Sequence, residues 1–152
     1  MKNFVRAMIV AIATVFISAG ALAAEHATAD QAVALVKEGI AYLKVHGKEK
    51  SLAEFMNPKG PFIKGELYFF VYDANGVALA HINPKMVGKN LLEMRTEDGA
   101  YIIKKVIEIG NSKEGKGWQE YKWPNPVTKQ LQSKRSYTEM YNGIYISAGI
   151  YK

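Results

Sequence analysis

Apolar residues between positions 28 and 47 recur every three to four positions, which predicts a long helix. Thr28 and Gln31 stand three apart, as a capping box requires, and Gly47 ends the pattern. Lysines occupy the opposite side, so the helix is amphipathic and should pack one face on the rest of the fold. Its expected apolar stripe is Val33, Val36, Ile40 and Leu43.

Two further helices are predicted downstream. Ser51 and Glu54 form a second capping box, which opens a short helix that runs to about Met56. The third helix is expected to open near Thr96 and to run to about Gly110. Its expected core stripe is Ile102, Ile103, Val106, Ile107 and Gly110.

The remaining apolar and aromatic runs predict five short strands. The run LYFFVYD over 67–73 is apolar or aromatic up to Asp73, so this strand should be covered on both faces and lie inside the sheet. Asp73-Ala74-Asn75-Gly76 fits a hairpin turn that leads into VALAHI. The other strands are expected in GWQEYKW, SKRSYTEM and IYISAGIY, at 117–123, 133–140 and 144–151.

The first 23 residues have the composition of an export signal. Lys2 and Arg6 precede an apolar run that closes on Ala21-Leu22-Ala23, the small-residue pattern that a signal peptidase accepts. We therefore predict a signal peptide over 1–23, a single mature domain over 24–152 and a periplasmic location. The apolar run also approaches the minimum length of a membrane span, so an uncleaved N-terminal membrane anchor is the alternative.

Charge and cysteine content exclude several classes of protein. Loss of residues 1–23 would remove Lys2 and Arg6 and no acid, so the formal net charge would fall from +6 to +4. The other basic residues are scattered among acids, which indicates a solvated surface and no nucleic-acid partner. The chain has no cysteine, so it has neither a disulfide framework nor a thiol nucleophile.

No catalytic or cofactor motif stands out in the sequence. Gly-x-Ser-x-Gly, a glycine-rich phosphate loop, a metal-spaced histidine cluster and an adjacent carboxylate pair are all missing, so we expect no enzyme, no cofactor and no metal site. One exception stays open. Cleavage after Ala23 would expose Ala24-Glu25-His26 as the new N-terminus, and its third-position histidine could chelate Cu(II). The alternative is that this terminal sequence is accidental and binds no metal.

His81 ends the second predicted strand, directly before a loop that Pro84 marks. An imidazole at that position could donate a hydrogen bond to a ligand carboxylate at the rim of a pocket. The alternative is a half-buried histidine bonded to a backbone carbonyl of the loop.

Aromatic residues on two strands are further candidates for a pocket. Tyr68, Phe70 and Tyr72 share one face of the first strand because they are two residues apart. Tyr121 and Trp123 share one face of the strand GWQEYKW by the same alternation. Such rings can line a pocket or simply fill a core.

Together these segments resemble the single Cache domains, specifically their type 2 subclass. The resemblance covers nearly the whole chain after residue 23, and the order and spacing of the segments make it specific. It implies an α+β fold in which a long N-terminal helix packs on a PAS-like five-stranded antiparallel sheet, with a pocket for small organic molecules, often short carboxylates. The segments that carry it are YFFVYDANGVALAHINP, VGKNL, EDGAYIIKKVIE, GKGWQEYKWPNP, KRSY and ISAGIY.

The resemblance also implies which residues contact the ligand. It places His81 beside the cavity, and Lys134 and Tyr137 match its Lys-x-Ser-Tyr element. A lysine that reaches into a partly dry pocket would supply the charge that a carboxylate needs, whereas a solvated strand lysine is the alternative. The expected ligand-binding residues are Tyr68, Phe70, His81, Tyr121, Trp123, Lys134 and Tyr137.

The function implied is that of an exported sensory domain for a short organic acid. Family members are typically flanked by two membrane helices and coupled to a chemotaxis or kinase module, whereas this chain ends at Lys152 after the last strand. We therefore expect no output module of its own, and a separate membrane receptor or kinase as partner. A structural or docking domain with a filled pocket is the alternative. The long helix could pair two copies into a homodimer, although the sheet already needs its apolar stripe.

Overall fold

The computed structural model describes residues 26–152, which form three α-helices, a 3₁₀ turn and one antiparallel sheet of five strands. The predicted signal peptide and the proposed copper ligands Ala24 and Glu25 lie outside these residues. Within them, no helix is long and apolar enough to cross a bilayer. The elements are α1 Ala29–His46, α2 Lys48–Phe55, β1 Phe69–Asp73, β2 Ala78–His81, the 3₁₀ turn Pro84–Met86, α3 Ile102–Gly110, β3 Lys116–Pro124, β4 Leu131–Tyr141 and β5 Ile144–Tyr151.

The strands are arranged in the order β2-β1-β5-β4-β3, so β1 has a neighbour on each side, as its apolar sequence predicted. The hairpin between β1 and β2 also has the predicted turn. Asp73 Oδ1 accepts the N–H groups of Asn75 and Val77, both at 2.9 Å, and Gly76 takes a φ of +79°. In the resulting register Phe70 is paired with His81, which fixes the direction of the histidine side chain.

α1 has the predicted ends but buries a different stripe. Both halves of the Thr28 and Gln31 capping box are formed, and Gly47 ends the helix. The stripe shifts because α1 lies directly against the sheet at Gly39, where an added Cβ would come within 2.5 Å of the Phe69 ring. Only small residues permit so close an approach. The buried residues of α1 are Ala32, Leu35, Val36, Gly39 and Leu43, whereas Val33 and Ile40 are only partly buried.

The predicted starts of α2 and α3 are wrong. α2 begins at Lys48, and Ser51 lies inside the helix, where its hydroxyl donates to the carbonyl of Gly47 at 2.7 Å. α3 begins at Ile102, because Thr96 closes a tight turn in which its Oγ1 accepts the N–H of Ala100 at 3.0 Å. In α3 Ile109 is buried in place of Ile107, which is partly exposed.

The sheet separates two packed layers, which we call the α1 face and the cavity face. α1 and α2 cover the α1 face, and α3 packs on the cavity face. Alternation along each strand assigns neighbouring side chains to opposite layers. The α1 face carries Phe69, Val71, Tyr137, Ile144, Ile146 and Ala148, and the cavity face carries Tyr68, Phe70, Tyr72, Tyr121, Tyr145 and Tyr151.

Candidate functional site

A cavity of about 510 Å³ opens at one end of the cavity face. Its size suits a small organic molecule with room for water. Three aromatic side chains, Tyr68, His81 and Trp123, come from the strands, and two loops form the walls. None of the described residues around it is acidic. The walls are Ile82, Asn83, Pro84 and Met86 on one side, and Pro124, Asn125, Pro126 and Lys129 on the other.

His81 is buried at the cavity with 5% of its surface exposed. Its Nδ1 accepts the N–H of Asn83 at 2.9 Å, so the neutral ring carries its proton on Nε2. This is the reverse of the expected bond to a loop carbonyl. Burial lowers the pKa of His81 to about 4, and the nearby charge of Lys134 acts in the same direction. Among the described residues the ring has no second hydrogen-bond partner, which leaves the Nε2 proton for a ligand.

Lys134 is almost completely buried, with 1% of its surface exposed. Its side chain crosses Gly149, where an added Cβ would come within 2.6 Å of the lysine Cε. Its Nζ donates to Tyr68 Oη at 2.8 Å and lies 4.2, 4.7 and 5.0 Å from the ring centroids of Tyr68, Phe70 and Tyr151. The alternative of a solvated strand lysine is therefore wrong.

The electrostatics of Lys134 are unusual for a cation. Burial holds its pKa well below the usual range, and Glu66 opposes that shift from a distance. No described carboxylate lies within ion-pair distance of Nζ. A buried lysine normally requires an anionic partner, so this one is suited to receive an anion from outside the chain.

A chain of hydroxyl groups leads from Lys134 to the wall of the cavity. Tyr151 donates to the carbonyl of Pro124 at 3.0 Å, so it must accept from Tyr68 across their 3.2 Å contact. Tyr68 in turn accepts from Lys134. Burial raises the pKa of both tyrosines, which keeps them protonated. Tyr151 was not among the predicted ligand-binding residues, although its position on the last strand, opposite Lys134, follows from the strand pairing.

Six of the seven predicted ligand-binding residues lie together on the cavity face, and Tyr68, His81 and Trp123 among them line the cavity itself. Tyr121 is buried on the cavity face, where its hydroxyl accepts from Ser136 at 3.3 Å, and its ring meets Trp123 edge-on at 6.1 Å. Phe70 lies beneath the lysine ammonium. The group consists of Tyr68, Phe70, His81, Tyr121, Trp123 and Lys134.

Tyr137 is the exception and does not reach the cavity. It follows Lys134 by three positions on β4, so alternation directs it to the α1 face. There its ring packs against Trp118 at 5.2 Å, and its hydroxyl donates to Glu139 at 2.6 Å. The expected ligand contact of Tyr137 is corrected accordingly.

Asn125 was not among the predicted site residues and appeared only within the segment GKGWQEYKWPNP. The side chain is buried, with 1% of the residue exposed, and it holds the loop that forms one wall of the cavity. Its Oδ1 accepts the N–H groups of Val127 and Thr128 at 2.8 and 3.3 Å. Its Nδ2 donates to Glu66 and Gln132 at 3.0 and 2.7 Å. Asparagine is a frequent loop-forming residue for this reason, which is the signal that could have identified it.

Metal ligation finds no support in the described part of the chain. Residues 26–152 contain no cluster of three or more His, Asp or Glu side chains that could hold a metal ion. His26 is engaged by Glu66, whose Oε2 lies 3.1 Å from its Nδ1. Any copper bound through His26 would have to compete with that contact.

A helix-backed antiparallel sheet with a ligand-sized cavity on its other face defines the PAS-like fold class. Residues 35–152 match the dCache_2 family model, a Cache domain, and the chain therefore belongs to the Cache domain family. This confirms the resemblance found in the sequence. The finer assignment to the type 2 single-domain subclass stays a prediction.

The chain is also similar to a known signalling protein. Over 71 residues, 46% of this chain, it is 37% identical to the sensor histidine kinase MctS of Rhizobium johnstonii. The match spans 15% of the length of that kinase.

Solved structures confirm the fold. A methyl-accepting chemotaxis protein from Vibrio parahaemolyticus superposes with a TM-score of 0.71 at 22% identity, over 80% of this chain and 86% of the other. A periplasmic sensor domain of a chemotaxis protein gives 0.62 at 22% identity, over 80% and 88%. A Cache chemosensory domain solved for its recognition of carboxylic acids gives 0.62 at 23% identity, over 80% and 86%.

Proposed function

We propose that this chain is an exported sensory domain whose cavity binds a short organic acid through Lys134 and His81. The observation that carries the proposal is a buried ammonium group without a described carboxylate partner, next to a cavity of ligand size. An organic acid would supply the missing charge and would displace no existing ion pair.

The donors available match a carboxylate. A Lys134 that is protonated beside a bound carboxylate has three N–H donors, of which Tyr68 accepts one, and His81 offers its Nε2 proton. The rings of Tyr68 and Trp123, which line the cavity, would enclose the carbon chain of the ligand. The similarity to a Cache domain that recognises carboxylic acids supports the same ligand class.

The same similarities support a proposal for location and partners. A periplasmic sensor domain and a sensor histidine kinase are among the proteins that this chain resembles. We therefore propose export through the segment 1–23, a periplasmic location, and a membrane receptor or kinase as the partner that receives the signal. The proposal includes no catalytic activity.

A thermal-shift screen tests the proposed ligand class. The purified protein is heated with acetate, propionate, lactate and pyruvate, and with the corresponding amines as cationic comparisons. A ligand that binds only the folded state raises the melting temperature. We expect a shift with at least one acid and none with the amines. His81→Ala should weaken the binding of the acid by about 1 to 3 kcal/mol, the scale of a lost hydrogen bond to a charged group. A shift with amines alone would contradict the proposal.

One observation favours a second candidate function, a docking domain with a filled pocket. Lys134 already contacts Tyr68, Phe70 and Tyr151, so chain groups occupy the centre of the cavity face. In that case no acid, amine or amino acid would shift the melting temperature, and a receptor or kinase partner would bind the chain whether or not an acid is present.

A further inference from the structure

Glu66 lies between the wall of the cavity and the residues that precede α1. Its side chain is 11% exposed. On one side Oε1 accepts the N–H of Ala27 at 3.0 Å, and Oε2 lies 3.1 Å from Nδ1 of His26. On the other side Oε2 accepts from Asn125 Nδ2 at 3.0 Å. A single carboxylate therefore holds two segments that are far apart in sequence.

Asn125 transmits that contact to the whole wall loop. Its backbone N–H donates to Gln130 and its carbonyl accepts from Lys129, both at 2.9 Å, while its side chain holds Val127 and Thr128. All the hydrogen-bonding groups of the Asn125 amide are thus in use within the chain. Asn125 therefore fixes the wall loop, and its side-chain amide has no free donor for a ligand.

The hydroxyl chain from Lys134 ends on the same loop. Tyr151 donates to the carbonyl of Pro124, the residue directly before Asn125. An anion that draws Lys134 or Tyr68 toward it would alter this bond, and hence the position of the wall.

The wall also has open space behind it. A second cavity of about 400 Å³ lies on the far side of Glu66, bordered by His26, Ala27, Val127 and Thr128 among others. A cavity therefore adjoins the wall on each side, and the bonds of Glu66 join the loop to the residues that precede α1.

We infer that Glu66 is a positioning residue that couples the wall of the ligand cavity to the start of α1. This inference rests on the proposed function, because it assumes that the cavity binds an acid. It extends that function by giving a bound acid a route to the N-terminal helix. Since such coupling is reciprocal, a change at residues 26–27 must also alter the wall.

The test measures amide hydrogen exchange by NMR in the protein without ligand. Glu66→Gln can accept from Ala27 or from Asn125 but no longer from both, because one end of its amide is a donor. His26→Ala removes a contact on the α1 side alone. Glu38→Gln is the matched control, since Glu38 borders the same second cavity but has no described bond to Asn125.

We expect the amides of Val127, Thr128 and Lys129 to exchange roughly tenfold faster in Glu66→Gln, the effect of one lost hydrogen bond to a charged group. His26→Ala should speed the same amides by about threefold, since its contact with Glu66 is half-exposed and therefore weaker. Glu38→Gln should leave them unchanged. The coupling is refuted if His26→Ala alters amide exchange only near Thr28, or if Glu66→Gln leaves the exchange rates of the wall amides unchanged.

A ligand arm separates this inference from the proposed function. With acetate, propionate, lactate or pyruvate bound, the exchange rate of Ala27 should change in the wild-type protein and not in Glu66→Gln, while Glu38→Gln behaves as wild type. Failure of every acid to shift the melting temperature would count against the proposed function alone, because the ligand-free rates already decide whether the coupling exists.

Discussion

The two faces of the same sheet are built on different principles. The α1 face is almost entirely apolar and is sealed by α1 and α2. The cavity face buries polar and charged groups beside its aromatic rings, and its edge is open at the cavity. Burial of polar groups opposes folding unless their hydrogen bonds are satisfied, and every fully buried side-chain nitrogen or oxygen of the described residues has a partner. The cost to stability on the cavity face therefore lies in the desolvation of Lys134. The buried polar residues of the cavity face are His81, Lys134, Ser136, Thr138 and Ser147.

The two roles alternate residue by residue along the strands. On β1 Phe69 belongs to the α1 face and Phe70 to the cavity face, and on β4 Tyr137 and Lys134 are divided in the same way. Substitutions one or three positions apart should therefore have effects of different kinds, on folding in one case and on ligand binding in the other. This contrast can be tested directly.

The largest expected effect is on the α1 face. Phe69→Ala should lower the free energy of unfolding by about 3 to 5 kcal/mol, because it leaves a cavity beneath α1 at Gly39. Carboxylate affinity should be unchanged at temperatures where the variant is folded, since Phe69 faces away from Lys134. Urea titration and calorimetric binding measure the two quantities. A large loss of affinity in the folded variant would show that the two faces are not separable.

The next effect is a pH dependence from the cavity face. The pKa of His81 is lowered from 6.5 to about 4, so between these pH values the unfolded chain binds a proton that the folded chain does not. Stability should therefore fall as pH decreases from 6.5 to 4, by up to about 3 kcal/mol from this residue. His81→Asn keeps an acceptor for the N–H of Asn83 but cannot titrate, so its unfolding free energy should fall less over that range. Parallel slopes for the two proteins would contradict the assigned burial of His81.

A smaller effect compares two tyrosines on opposite faces. Tyr68→Phe removes the acceptor of Lys134 and should change carboxylate affinity by about 1 kcal/mol, a typical single hydrogen bond. Tyr137→Phe removes a bond to Glu139 on the α1 face and should leave affinity unchanged. Isothermal titration of both variants with the same acid makes the comparison. Equal effects would restore Tyr137 to the ligand site.

The smallest expected effect concerns α1 alone. Thr28→Ala removes the side-chain half of the capping box and should lower the unfolding free energy by about 1 kcal/mol. Because the cap lies outside the cavity, ligand affinity should not change beyond experimental error. Chemical denaturation followed by circular dichroism measures the loss. An unchanged midpoint would mean that the cap contributes nothing.

The strands and turns were predicted well because each is specified by residues that are adjacent in the sequence. Alternation in IYISAGIY and the Asp73 turn specify their structures without reference to the rest of the chain. The same sequence rules misplaced the starts of α2 and α3, since Ser51 and Thr96 can satisfy backbone groups in more than one way. A hydroxyl residue alone does not distinguish a helix cap from a turn.

The candidate site was predictable to the extent that it depends on strand alternation. That rule joins Lys134 to the tyrosine face and would have excluded Tyr137. Glu66 and Asn125 were not predictable, because their contact joins two loops whose approach is set by the packed fold. The burial of Lys134 likewise depends on Gly149, across a strand pairing that spacing alone does not give.

The most direct test of the account is Lys134→Met, with Lys122→Met on the exposed edge strand as the control. Methionine has a similar shape and no charge, so it relieves the burial of an ammonium group that lacks a described carboxylate partner. We predict that Lys134→Met raises the unfolding free energy at neutral pH by about 1 to 3 kcal/mol and abolishes the thermal shift produced by the acid. Lys122→Met should change neither. A Lys134→Met protein that is less stable than wild type and still binds the acid would contradict the central claim that this lysine is buried for the sake of a ligand.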